Sequence, residues 1–448
     1  MQSLLFRTFA ILCLVSGSIG REGFGPGEQE WGFVKVRPSA NMFWWLYYTT
    51  ADVKTYHDKP LVIWLQGGPG ASSTSFGNFE ELGPLDPKLN PRNYTWVKDY
   101  NVLFIDNPVG AGYSHVESMS AFVKTNAQIA SDLVECMRGF YKQLPSFQNI
   151  STYITTESYG GKMGAEFALA WYRAQKAGTI KSNLKGVALG DAWISPIDSV
   201  MTWAPFLLSM GIIDTESYKE IDEAAKETES KVKTNQWAMA TQYYAYTQNI
   251  ILQKTYDVDF YNVLTKKTFE SFSHYWFPDT KPLDKSLTNE EATGRSDSKM
   301  ETFSLDKLMN GPVKTALDLQ VTHGVQSYLV FFYLKEDFMK PATRQVEMLL
   351  DETDLRVFVY TGQLDLIVDT PGTLQWVEKL KWKKANTWKN AVRYPLVVND
   401  IIEGYVKSQD KFSVYWINRA GHMVPKDNPA AMKGILFDLT NELELPTV

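Results

Sequence analysis

Cysteine is almost missing from this chain of 448 residues, which carries only Cys13 and Cys136. Cys13 lies in an N-terminal apolar segment, so a chain cut after that segment keeps one thiol and no intramolecular disulfide. Small exported proteins usually depend on such bridges, but a long chain can bury enough core to do without them. Cys136 follows the helical spacing Ile129, Leu133, Cys136, Phe140 and reads as a buried, unreactive thiol. Positive charge is not in excess either. The net charge is −6, which argues against nucleic acid as a partner, because phosphate binding needs clustered Lys and Arg. Past the N-terminus no apolar run approaches the roughly 20 residues of a spanning helix, so no membrane span is expected. Internal repeats and low-complexity tracts are also lacking, which sets aside solenoids and disordered linkers.

What remains is an ordinary globular balance, with 44% hydrophobic and 21% charged residues. The aromatic share of 14%, with 14 Trp, points to a heavily packed core or deep pockets. The first residues read as a signal peptide, 1–20. Arg7 supplies its positive end, residues 9–15 its apolar stretch, and Ser18 and Gly20 the small residues before a cut. Two glycosylation triplets follow, at Asn93 and Asn149. With an export signal, either can carry glycan.

Strand and helix patterns then alternate. Residues 61–66 read as a buried strand, 101–105 as a second apolar run, 151–155 as a short β-branched strand and 184–189 as another strand, with a helix over 122–143 and a second one after Gly161 that runs through 174. Between about 201 and 321 the pattern turns helical, polar and aromatic, with a loop-like stretch over 278–298. Strands return at 355–360 and 412–417, and a last helix is expected over 429–439. The expected fold is α/β: a mostly parallel central sheet with helices on both faces and a helical inserted cap subdomain. Its parts are a core in two pieces, 21–199 and 331–448, and a cap, 200–330.

The strand ending near Thr155 runs straight into Glu157-Ser158-Tyr159-Gly160-Gly161 and then a helix. That is the setting of a nucleophile elbow, with Thr156 replacing the first glycine of Gly-x-Ser-x-Gly and Gly160 keeping the second. Five histidines are available, His57, His115, His274, His323 and His422. His422 follows the strand 412–417, and Asp365 follows the strand 355–360. Loops after parallel strands lie at the carboxyl edge of the sheet, where α/β sites form. The order Ser158, Asp365, His422 is that of an α/β hydrolase. In that reading His422 takes the proton of Ser158 and Asp365 orients the imidazole, with Asp369 the nearest rival for the third role. The turn Gly67-Gly68-Pro69-Gly70 and the residue after the serine supply oxyanion donors, the N–H groups of Gly68 and Tyr159. No Gly-Lys-Ser/Thr follows, which argues against a phosphate loop. The α/β-hydrolase reading calls for no metal and no cofactor.

Five runs carry a resemblance to a known family. They are residues 64–73 (WLQGGPGASS), 81–84 (ELGP), 106–114 (DNPVGAGYS), 157–161 (ESYGG) and 420–425 (AGHMVP). Together they resemble the serine carboxypeptidases, from about residue 30 to 440 outside the middle insertion. The resemblance implies an enzyme that removes one C-terminal residue through an acyl-enzyme. It implies that Gln66, Gly67, Glu81 and Glu157 read the free carboxylate of a peptide substrate. An acidic pair can do so by sharing a proton, so binding is expected to favour acidic pH and a secreted or lysosomal location. The chain departs from the family at Gln66 and Asp191, each where Asn is usual, at Ala71 for Cys, and at Gln363 for the first Asp of Gly-Asp-x-Asp. Two other readings stay open: a hydrolase-fold binding protein with weak or no peptidase activity, and an esterase or acyltransferase. Oligomeric state is open too, a homodimer included.

Overall fold

Leu61–Leu65 shows why these residues form a sheet. All five side chains are buried, and they alternate between two cores. Leu61, Ile63 and Leu65 face one apolar cluster, while Val62 and Trp64 face the other. A strand apolar on both faces belongs inside a parallel sheet covered on both sides. A computed structural model shows that arrangement, describing residues 20–266 and 305–441. The signal-peptide reading, apart from Gly20, lies outside the described residues, as do His274 and the stretch 278–298.

The strands in chain order are Arg21–Glu22 (β1), Glu28–Arg37 (β2), Ala40–Tyr47 (β3), Leu61–Leu65 (β4), Asn101–Ile105 (β5) and His115–Val116 (β6). They continue with Thr152–Glu157 (β7), Leu184–Gly190 (β8), Arg356–Gly362 (β9), Arg393–Val398 (β10), Ile401–Gln409 (β11) and Phe412–Ile417 (β12). The sheet order is β1-β2-β3-β5-β4-β7-β8-β9-β12-β11-β10, with β6 beside β3. The centre, from β5 to β12, is parallel throughout. Both flanks are antiparallel, β1-β2-β3 on one side and β11-β10 on the other.

One face of the sheet is covered by Asn126–Gln143 (α1) and Tyr159–Lys176 (α2), whose Ile129, Leu133, Phe140, Met163 and Phe167 enter the first core. The other is covered by the helical turn Ser73–Leu82 and the last helix, Pro429–Thr440, through Phe79, Ile435 and Leu439. The first long helix starts at Asn126, four residues later than its apolar spacing suggests. Thr125 accepts the N–H of Gln128 and caps it, and the preceding Phe122 stacks on Tyr333 instead.

After β8 come three helices, Pro196–Ser209 (α3), Thr215–Lys233 (α4) and Trp237–Thr255 (α5), then Tyr328–Phe338 (α6) beyond the undescribed stretch. No strand occurs among the described residues of 201–321. An aromatic knot ties these helices to the core. Tyr244 of α5 meets Trp193, Trp203 and Phe338, and Phe338 stacks on Tyr159 at the start of α2.

Candidate active site

Four neighbouring parallel strands, β7, β8, β9 and β12, end on the same side and place Ser158, Asp191, Asp365 and His422 in the loops that follow. Ser158 stands between β7 and α2 with φ 62° and ψ −130°. A residue with a β-carbon avoids that region unless its surroundings hold it there. They do: its N–H donates to Gly190 O, and its carbonyl accepts from Gly161 N and Trp193 N, each at 2.9 Å. Gly160 is glycine because a β-carbon there would sit 2.4 Å from Leu65 O. Ser158 is half-buried between fully buried neighbours.

His422 Nδ1 and Asp365 Oδ2 are 2.7 Å apart, with both side chains out of solvent. The other Asp365 oxygen accepts the N–H of Val368 at 3.2 Å. His422 is held by Tyr261 as well. Its N–H donates to Tyr261 O at 2.7 Å, and the Tyr261 ring meets the imidazole edge-on at 5.0 Å. Asp369 turns elsewhere: it accepts from Thr202 Oγ1 at 2.8 Å.

The glycine turn after β4 closes on the serine. A β-carbon on Gly67 would lie 2.5 Å from Ser158 Cβ and 2.9 Å from Tyr159 N, so only glycine permits this approach. Tyr159 is the first residue of α2, where an N–H has no intrahelical acceptor. The glycine turn therefore lies against both the serine and the N–H of Tyr159. Beside them, Gln66 Nε2 donates to Glu157 Oε1 at 2.8 Å and to Glu81 Oε1 at 3.1 Å. Trp64 Nε1 donates to Gln66 Oε1 at 2.7 Å. Both Glu Oε2 atoms are buried without a hydrogen-bond partner. Asn93 and Asn149 are exposed.

Burial pushes the acids of this region upward. Glu157 is driven well above the usual carboxylate range by burial first and then by the facing Glu81. Glu81 is raised by burial, with Gln66 and Lys426 pulling it partly back. Asp191 and Asp369 are also pushed well up by burial. The unfolded chain releases such protons near pH ~4, whereas the fold holds them longer. Stability from this source is complete below that pH and is lost as pH rises through the raised folded values. The thermal midpoint is therefore expected to be higher at about pH 5 than at about pH 7.5, at about 1.4 kcal/mol per pH unit for each retained proton. A midpoint that climbs steadily over that interval would contradict it.

Two features of the site were not assigned roles from sequence. Asp191 was visible only as a departure from a family pattern. Lys162 on α2 is buried, and its Nζ lies 2.7 Å from Asp337 Oδ2. Tyr159 Oη donates to the same oxygen at 3.0 Å. Partners so distant in sequence leave no local signal.

The family model for serine carboxypeptidases matches residues 21–442. The chain is similar to the retinoid-inducible serine carboxypeptidase of Rattus norvegicus, 43% identical over 90% of this chain and 89% of that one. The protein of that name from Homo sapiens is 42% identical over the same shares. A serine carboxypeptidase-like protein of Arabidopsis thaliana is 36% identical over 97% of this chain and 98% of its own. Among solved structures, a prohormone-processing carboxypeptidase of Saccharomyces cerevisiae superposes with a TM-score of 0.78 at 22% identity, covering 93% of this chain and 92% of that one. That likeness is one of fold.

Proposed function

The chain belongs to the serine carboxypeptidase family, and from that premise we propose that Ser158, His422 and Asp365 carry the hydrolysis of C-terminal peptide bonds. The enzyme is a serine-type carboxypeptidase on an α/β-hydrolase fold. In the proposed cycle the Ser158 hydroxyl attacks the last peptide carbonyl while His422 Nε2 takes its proton. Asp365 keeps Nδ1 protonated and offsets the charge of the imidazolium. The N–H groups of Gly68 and Tyr159 stabilise the oxyanion, and His422 returns the proton to the leaving amine. Water then releases the shortened peptide by the same steps.

The observation that carries the choice of substrate is the carboxamide of Gln66 bridging Glu81 and Glu157 next to Ser158. An esterase with the same triad has no use for two buried carboxyls there. Here they hold a proton that can be given to a peptide carboxylate. The extra methylene of Gln66 is accommodated, since both its Nε2 hydrogens and its Oε1 have partners. Because burial raises the folded values of both acids, the proton is present in acid and lost as pH rises, so recognition weakens toward neutrality.

Glu157→Gln tests this reading. KM for a blocked dipeptide with a free C-terminus is expected to rise about 10- to 100-fold near pH 5, the worth of a charge-assisted hydrogen bond. The same substrate as its C-terminal amide should respond far less. Equal effects on acid and amide would count against a carboxylate-reading role.

The acid preference supports a secreted or lysosomal location, reached through a signal peptide at 1–20. The exposure of Asn93 and Asn149 suits glycan at both. Among the described residues no helix is long and apolar enough to cross a membrane. The division into a core, 21–199 with 331–448, and a cap, 200–330, is supported by the helical run from α3 to α5.

A further inference from the structure

Asp191 follows β8 as Ser158 follows β7, and no step of the hydrolysis above uses it. Its side chain is fully buried. Its backbone N–H donates to Tyr360 O at 2.8 Å, and its Oδ1 accepts the N–H of Gly362 at 2.8 Å. Its Oδ2 is buried and has no hydrogen-bond partner. One oxygen of Asp191, one of Asp365 and one ring nitrogen of His422 lie within 4.8 Å of one another. Two carboxyls this close in a dry space do not both ionise. Asp365 already receives donors from His422 and Val368, whereas Asp191 has a single backbone donor. The negative charge therefore belongs on Asp365 and the proton on Asp191.

From this juxtaposition we propose that Asp191, as a carboxylic acid, is a positioning residue that donates a hydrogen bond to Asp365 and so fixes the carboxylate that orients His422. The proposal rests on the triad reading above. Asp191 would couple the loop after β8 to the loops after β9 and β12 through one proton. The titratable groups facing it are Asp365 and His422 across the site, Glu157 at the end of β7, and Tyr360 on β9. Burial, and then the charge of Asp365, pushes the Asp191 carboxyl well up. Once that proton leaves, two like charges repel, Asp365 withdraws from His422, and Ser158 loses reactivity on the alkaline side. An asparagine here would donate at every pH. The carboxyl makes the same contact conditional on pH.

The test is the rate of Ser158 modification by a small phosphonyl fluoride between about pH 4 and pH 9. The reagent carries no carboxylate, so the reading of a substrate carboxylate by Gln66, Glu81 and Glu157 does not enter the measurement, and their own titration is common to both proteins. In the wild type the rate is expected to rise with pH and then fall. In Asp191→Asn it is expected to rise to a plateau, so that the ratio of its rate at about pH 9 to that at about pH 6 exceeds the wild-type ratio by about tenfold, one pKa unit of protection. Profiles of the same shape in the two proteins overturn the proposal. A wild-type profile with no alkaline fall overturns it too, whether or not the variant folds. Failure of both proteins to react at any pH would overturn the triad reading itself, a separate result.

Discussion

Ser158→Ala is expected to lower kcat for a blocked dipeptide by about a million-fold, the scale on which removal of a catalytic serine acts in such a triad. The variant should unfold at a midpoint close to that of the wild type. The strained backbone at 158 is held by Gly190, Gly161 and Trp193 through main-chain bonds that alanine preserves. Phosphonate labelling should vanish with activity. The members of the triad act as a unit, so adding His422→Ala to the serine variant should cost little more. Asp365→Asn should cost about ten-thousand-fold, because the amide leaves His422 in the wrong tautomer. Assay of released amino acid, with the melting curve as control, separates these outcomes. A serine variant that stayed within tenfold of the wild type would remove the basis of the mechanism.

The second large effect concerns stability. Lys162→Met should destabilise the protein by about 3–5 kcal/mol, the usual result of stripping one partner from a buried ion pair. Lys162 Nζ meets Asp337 Oδ2 at 2.7 Å and the Lys340 carbonyl at 2.9 Å. Burial pushes the ammonium downward and Asp337 pulls it back up. Without the lysine, Asp337 keeps only the Tyr159 hydroxyl and the N–H of Asn126. The double variant Lys162→Met, Asp337→Asn should recover much of the loss, since neither charge is then left alone. Urea midpoints of the two single variants and the double variant measure this. Because Asp337 also holds the ring of Tyr159, whose N–H is proposed as an oxyanion donor, the single variant should lose kcat as well as stability.

The parallel centre of the sheet was readable from sequence because β4 and β5 are apolar runs, β7 is rich in β-branched residues, and β8, β9 and β12 are mostly apolar, each bounded by turn residues. The antiparallel flanks were not. β2 is only partly buried along most of its length, and β3 is buried on nearly every residue, so neither shows clean alternation. β10 and β11 carry exposed Tyr394, Val397, Ile401 and Ile402, where hydropathy and burial disagree. The start of α1 was misplaced because apolar spacing does not end at a cap, whereas the Thr125 hydrogen bond does. In the site, Ser158, Asp365 and His422 could be named because each follows its own strand in a fixed order. The meeting of His422 with Asp365 rather than Asp369 depends on loop geometry that no local pattern encodes. The same holds for Asp191, whose importance appears only when three strand ends are set side by side.

Cys136, the single thiol among the described residues, sits on the core-facing side of α1, and burial keeps it from ionising. Among the described residues, refolding therefore involves no pairing of sulfurs and no shuffling of bridges, and reductant has nothing to break. The chain can be denatured and renatured with dithiothreitol present throughout. An alkylating reagent reaches Cys136 only when the helix lifts off the sheet, so its rate of incorporation is a clock for opening of the core, readable by mass spectrometry without any engineered label.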